Sequence, residues 1–297
     1  MTRLILVCLL ICGLPICVPS VVHAQDNDSE WDDSDWWSDE SSVKRPGFIL
    51  EGALPVPRAL LEHNYEGDYG YGISVVLSQL DFTHWRAVRD KIRLRYTEDW
   101  LVLKDATATP LGLTDSDARA RLWGISVGAG SAGKFVGNRW FALSGYHGMF
   151  VGIYGLDVSR KAFSVLETSS MHNPTASPLN NEDNQGQFGF SHELALRFCT
   201  RHVGVQAGYE FVEVKRALVF WPAVIHGVIQ AFATEALPQF LEKYGGHGWA
   251  VQVSSWIWRA AITAAAHHLQ SYHTDWFYDR EHPLLLQRWR AGVLFYL

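Results

Sequence analysis

The chain has 297 residues, a formal net charge of −6 at pH 7, and 48% hydrophobic and 13% aromatic residues. That length suffices for one core or one closed sheet, and the acidic balance supplies no basic field of the kind nucleic-acid binding needs. Nothing in the composition marks a cofactor or a disulfide scaffold.

Residues 1–24 carry one positive charge, at Arg3, and an apolar run from Leu4 to Val22. They end in Val22-His23-Ala24, the pattern of a secretory signal peptide with cleavage expected after Ala24. A lipoprotein-type cut at Cys17 is the alternative, with Ile16 standing where a small residue belongs. Cys8, Cys12 and Cys17 leave with this segment, so Cys199 alone remains and no internal disulfide can form.

Residues 25–45 read as an acidic disordered tail: Gln25 to Val43 holds eight acidic residues, no basic ones, and Trp31, Trp36 and Trp37. Such a tail is ordinarily a soluble leader. The sharper expectation is a docking segment for a periplasmic protein, because tryptophan gives large anchor area. Residues 44–297 carry 24 basic and 23 acidic residues, so the remaining domain, 46–297, is close to neutral.

No stretch after the signal reaches the 18 to 20 apolar residues of a spanning helix, which leaves a closed barrel as the way to cross a bilayer. The trace of a barrel is alternation. Tyr69, Tyr71, Ile73, Val75 and Leu77 alternate with Asp68, Gly70, Gly72 and Ser74. Trp123, Ile125, Val127 and Ala129 alternate with glycines and Ser126. From Phe188 to Phe198 the even positions are mostly apolar while Gly189, Ser191, Glu193, Ala195 and Arg197 take the odd ones. Val203 to Phe211 repeats the pattern after a short turn.

Charged residues share a face with glycine and serine. Buried in a dry core they need full pairing, whereas a wet lumen solvates them. Arg93, Arg95, Glu193, Arg197 and Glu210 are therefore the candidates to face the lumen, with the apolar face outward. A soluble lipocalin-like barrel inverts that choice.

Strands are expected near 46–54, 68–78, 91–104, 119–130, 138–158, 187–198, 203–213, 247–258, 263–271 and 288–297. This is an all-β, closed, antiparallel up-and-down transmembrane barrel of about ten strands, with eight to twelve possible. The longer connections fall at one end and the turns at 131–137, 199–202 and 259–262 at the other. Leu101 to Leu103 fails to continue the parity of Ile92, Leu94 and Tyr96, and 138–158 is long enough for a hairpin.

Several strings resemble functional motifs. Gly128, Gly130 and Gly133 fit GxGxxG and nearly a P-loop, but Phe135 onward reads as a turn into another strand, not as the helix a phosphate site needs. Ser191-His192-Glu193 places Ser191 and His192 on opposite faces of a strand. Ser144 and His147 also differ in parity, so no Ser–His pair of a lipid hydrolase is formed. Residues 215–244 switch to a helical period through Leu218, Trp221, Ile225, Val228, Phe232, Ala236 and Phe240, a helical insertion expected to plug the lumen, pack on the rim or lie in the interface. His267, His268, His273 and His282 cluster with Asp275, Asp279 and Glu281, without the spacing of a known metal site.

The final octet places Arg290, Gly292, Phe295 and Leu297 in the order polar-x-Gly-x-x-aromatic-x-apolar. It resembles the C-terminal assembly signal of the Gram-negative outer-membrane β-barrel superfamily, with no specific family indicated. The resemblance implies a cell outer-membrane location, with outer-membrane lipid and the barrel-assembly machinery as partners. A small pore or transport-related channel is the first expectation. The alternatives are an anchoring scaffold or envelope-complex component, and a lipid-modifying enzyme.

Overall fold

The computed structural model describes residues 43–58, 65–82, 86–104, 114, 118–158, 187–214, 229, 232–241, 244–246, 248–272 and 284–297. The signal segment, nearly all of the acidic tail, most of 215–231, and His273, Asp275, Asp279, Glu281 and His282 lie outside the described residues.

The strands are β1 (Val43–Arg58), β2 (Tyr65–Leu80), β3 (Arg86–Leu103), β4 (Arg119–Gly137), β5 (Phe141–Val158), β6 (Gln187–Thr200), β7 (Val203–Val214) and β8 (Leu284–Tyr296). They form one closed antiparallel barrel in sequence order. β8 closes on β1, with Gly47 opposite Tyr296 and Arg58 opposite Leu285, so no strand edge is left open.

Eight strands, not ten, make the wall. From Trp249 on, the segments expected as strands at 247–258 and 263–271 are parts of one helix, α1 (Trp249–Tyr272), and the expected turn at 259–262 is its middle. Trp249, Val251 and Val253 imitate a strand. The longer pattern is helical: Gln252, Ser255, Arg259, Thr263 and His267 recur every three or four residues, and alanine fills most of 260–266. The region 138–158 is a single strand, β5. β4 continues through the expected turn 131–137, and the chain reverses at 138–140, where Asn138 Oδ1 accepts from the Trp140 and Phe141 amides at 2.8 and 3.3 Å.

The barrel interior is layered. In β3, Arg93, Arg95, Thr97 and Asp99 point inward and are followed on the same face by Leu101 and Leu103. The parity break in the sequence is thus the point where the inner face turns apolar. Leu101 and Leu103 join Tyr65, Leu122, Val212, Val214 and Leu286 in a buried cluster at the end that carries the long connections. A second cluster closes the short-turn end, with Ile49, Val76, Leu80, Val88, Leu294 and Tyr296. Cys199, a free thiol, is buried there.

α1 runs outside the wall. A Cβ on Gly145, which points outward, would come within 2.6 Å of the Trp256 ring, and the Trp256 indole N–H donates to the Tyr146 carbonyl at 3.1 Å. Further along, His267 packs edge-on against Phe211, whose side chain also faces out, near the other end of β7. At about 1.5 Å per residue, 24 residues cover roughly 36 Å, enough to run the height of the wall. Residues 232–241 form a second helical piece, and Gly246, at φ 78°, helps turn the chain toward α1. The described part of the expected insertion 215–244 therefore lies against the outer wall and does not plug the lumen.

Candidate functional site

The charged residues of the lumen converge at mid-height. Arg93 donates through Nη1 to Glu193 Oε2 and through Nη2 to Glu51 Oε1, both at 3.0 Å, while its Nε donates to Ser74 Oγ at 3.0 Å. Arg95 reaches Glu193 at 3.3 Å, Ser191 Oγ at 2.7 Å, and Glu210. Arg197 donates to Asp90 Oδ2 at 2.9 Å and to Gln206 Oε1 at 2.8 Å. Thus Arg93, Arg95, Glu193, Arg197 and Glu210 all face inward, and ion pairs bring the first three and Glu210 together.

Three carboxylates (Glu51, Asp90 and Asp99) and two arginines (Arg288 and Arg290) that the sequence did not mark as luminal extend the set. Glu51 bridges Arg93 and Arg290; Asp90 holds Arg197; Asp99 lies 2.8 Å from Arg288; and Glu210 gathers Arg95, Arg288 and Arg290. With Glu193, the network has five guanidiniums and five carboxylates, so its formal charge cancels. The signal available for Glu51, Arg288 and Arg290 was parity: each alternates with outward apolar neighbours, such as Leu50 and Trp289.

Aromatic rings pack beneath the cations. Tyr146, Phe150 and Tyr154 of β5 lie across the inward glycines Gly130, Gly128 and Gly124 of β4, where a Cβ would clash with the rings. The Arg95 guanidinium stacks 4.0 Å from the Phe150 centroid and Arg197 3.3 Å from that of Tyr146. Gly128 and Gly130 belong to the GxGxxG string, and their role here is to seat aromatic rings. Gly133, the third glycine, faces Gln252 of α1.

A second polar cluster lies on the outer wall beneath the helices. His147 Nδ1 is 3.3 Å from Glu235 Oε1. Arg259 donates to both oxygens of Glu235 at 2.9 and 2.7 Å, and the His147 ring stacks on His192 with centroids 5.9 Å apart. His147, His192, Phe211 and Glu213 point outward yet are buried, because the helices cover them. α1 turns its polar stripe to the wall: Gln252, Ser255, Arg259, Thr263 and His267 are all buried, while Trp249 is 68% exposed and Phe232 of the preceding helix 75%. This is the reverse of a helix that meets water on its outer side.

Ser191 faces the lumen and His192 the outer wall, and Ser144 and His147 divide in the same way. The two Ser–His neighbours of the sequence therefore remain on opposite sides of the sheet. Among the described residues no group of three or more histidine, cysteine or acidic side chains is arranged to hold a metal ion.

Away from the helices the outer wall is largely apolar, with Leu50, Leu54, Ile73, Val75, Ile92, Leu94, Ile125 and Val205 exposed around the barrel and the charged group Glu98, Arg121 and Asp157 toward the long-loop rim. Aromatic contacts occur near both ends: Tyr69 on Trp100 and Tyr209 on Trp289 toward the long-loop end, Phe141 on Phe198 toward the short turns. Of the terminal octet, Arg290 and Gly292 point inward, where Arg290 binds Glu51 and Glu210. Phe295 and Leu297 are exposed.

No protein-family model and no curated protein matches the chain. Among solved structures, it is similar to the crystal structure of Neisserial surface protein A (NspA) at 9% sequence identity and a TM-score of 0.36, over 85% of this chain and 97% of that one.

Proposed function

We propose that this chain is a Gram-negative outer-membrane β-barrel that acts as a sealed anchoring scaffold and holds a pair of helices beside its wall within the bilayer. Membrane placement is supported by the exposed apolar belt around a charged interior, the reverse of a soluble barrel. It is supported again by the inverted polarity of α1. No described helix is long and apolar enough to cross a membrane by itself. α1 fits beside the barrel because its polar stripe is buried against the wall, with Arg259 held by Glu235 of the preceding helix, and its other side suits an apolar solvent.

The observation that carries the scaffold reading is the filled lumen. Arg93, Arg197 and Arg288 are fully buried in the network, and an apolar cluster closes each end of it. Water-filled barrels need more strands than eight, or a lumen cleared of long side chains. The network also has no formal charge excess to select permeant ions. Function is thereby moved from the lumen to the outer wall and rims.

Liposome swelling in graded sugars tests this. Vesicles containing the folded chain are expected to remain as tight to arabinose as protein-free vesicles. Swelling at a rate proportional to protein content contradicts the scaffold reading and restores the small pore.

A further inference from the structure

The barrel end that carries the short turns is basic at each of its four corners. Lys44 and Arg45 stand where β1 begins beside the end of β8, and Arg89 and Lys91 stand at the foot of β3. Lys134 and Arg139 flank the β4–β5 reversal, and Arg201 stands in the β6–β7 turn. Among the described residues of this rim the acid outside the lumen is Asp81. The opposite rim mixes Arg58, Arg119 and Arg121 with Glu66, Glu98 and Asp157.

These cations are close enough to feel one another. Lys91 lies within electrostatic reach of Lys44 and Arg89. Arg139 and Arg201, from adjacent turns, both stand over the ring of Trp140, at 5.0 and 5.2 Å from its centroid. Trp140 is 55% exposed and sits directly below the outward Phe141–Phe198 pair, whose centroids are 5.6 Å apart. The order is therefore apolar belt, then indole, then guanidinium.

We infer that this rim binds the headgroups of anionic phospholipids, with Arg139, Trp140 and Arg201 as its best-formed site. The inference rests on the membrane reading above. Trp140 has the amphipathic ring that settles at a bilayer interface. Arginines extend from such a position toward the phosphates and offer paired N–H donors to a phosphodiester. A ring of like charges repels itself unless anions gather beside it, and a leaflet rich in net-negative lipid supplies them at the depth where the belt ends. A soluble acidic protein would gain from the charge but has no use for the adjoining apolar belt.

Native mass spectrometry provides the test. The full chain, folded in a non-ionic detergent, is offered equal amounts of phosphatidylglycerol and phosphatidylcholine with the same acyl chains. The folded chain is expected to retain phosphatidylglycerol several-fold more, and each of Arg139→Ala and Arg201→Ala to lower that ratio by up to about fivefold. Arg119→Ala, on the opposite rim, is expected to leave it unchanged. Equal retention of the two lipids by the folded chain overturns the inference while leaving the membrane reading intact; so does binding of decaglutamate without any lipid preference, which would assign the rim to an acidic protein. A chain that never acquires cold-detergent resistance in detergent or lipid sinks the membrane reading, and this inference with it.

Discussion

Replacing Glu210 with alanine is expected to lower the unfolding free energy of the barrel by about 3–5 kcal/mol, because it leaves buried positive charge without its counter-charge. Glu210 takes Arg95, Arg290 at 2.6 Å and Arg288 at 3.4 Å, and none of these arginines can lose its proton or reach water. Urea unfolding of the chain in phospholipid vesicles reads the loss as a lower midpoint at unchanged slope. Substituting both sides of a pair, as in Asp90→Leu with Arg197→Met, is expected to be much milder, since a buried ion pair stabilises little beyond an apolar pair of similar volume. A Glu210→Ala midpoint within experimental scatter of the parent would mean that water hydrates the network, and the lumen would not be sealed.

The second large effect is expected on the outward face of β3. Leu94 is 53% exposed and lies between Arg93 and Arg95, which are buried in the lumen. Leu94→Arg is expected to destabilise the chain by about 2–4 kcal/mol in a bilayer, the depth-dependent cost of a cation on a lipid-facing strand. In water the same exposed substitution would stay within about 0.5 kcal/mol of neutral. Vesicle unfolding measured as for Glu210→Ala distinguishes the two environments. A neutral Leu94→Arg would place the apolar belt in contact with something other than hydrocarbon.

Much of the wall was legible because the side-chain period of a strand is two and the two solvents on either side of it differ. Glu193 and Arg197 share a parity with Ser191, and Leu196 and Phe198 take the other, so inside and outside separate in the sequence itself. Leu101 and Leu103 were misleading on the same rule, because they extend the inner face into an apolar end cluster and parity alone expects the inner face to remain polar. Alternation also cannot distinguish a five-residue strand-like opening from a helix, and Trp249, Val251 and Val253 supplied one. What exposes α1 is the buried polar stripe from Gln252 to His267, and that stripe has meaning only against the outward His147 and His192 of distant strands. The cluster of His147, Glu235 and Arg259 was hidden for the same reason: its members come from β5 and from two helices, and no local spacing relates them.

The placement of belt and helix in hydrocarbon is tested most directly by collision rates at a nitroxide. In a chain beginning at Gln25 and with Cys199 replaced by serine, single labels at Leu94→Cys and Ile257→Cys, both exposed on the outside of the molecule, are read in vesicles against oxygen and a water-soluble nickel chelate. Oxygen, which concentrates in the bilayer, is expected to relax both labels strongly while the chelate hardly reaches either. Strong relaxation of both labels by the nickel chelate would show water where hydrocarbon is required, and would contradict the membrane barrel and its wall-bound helix together.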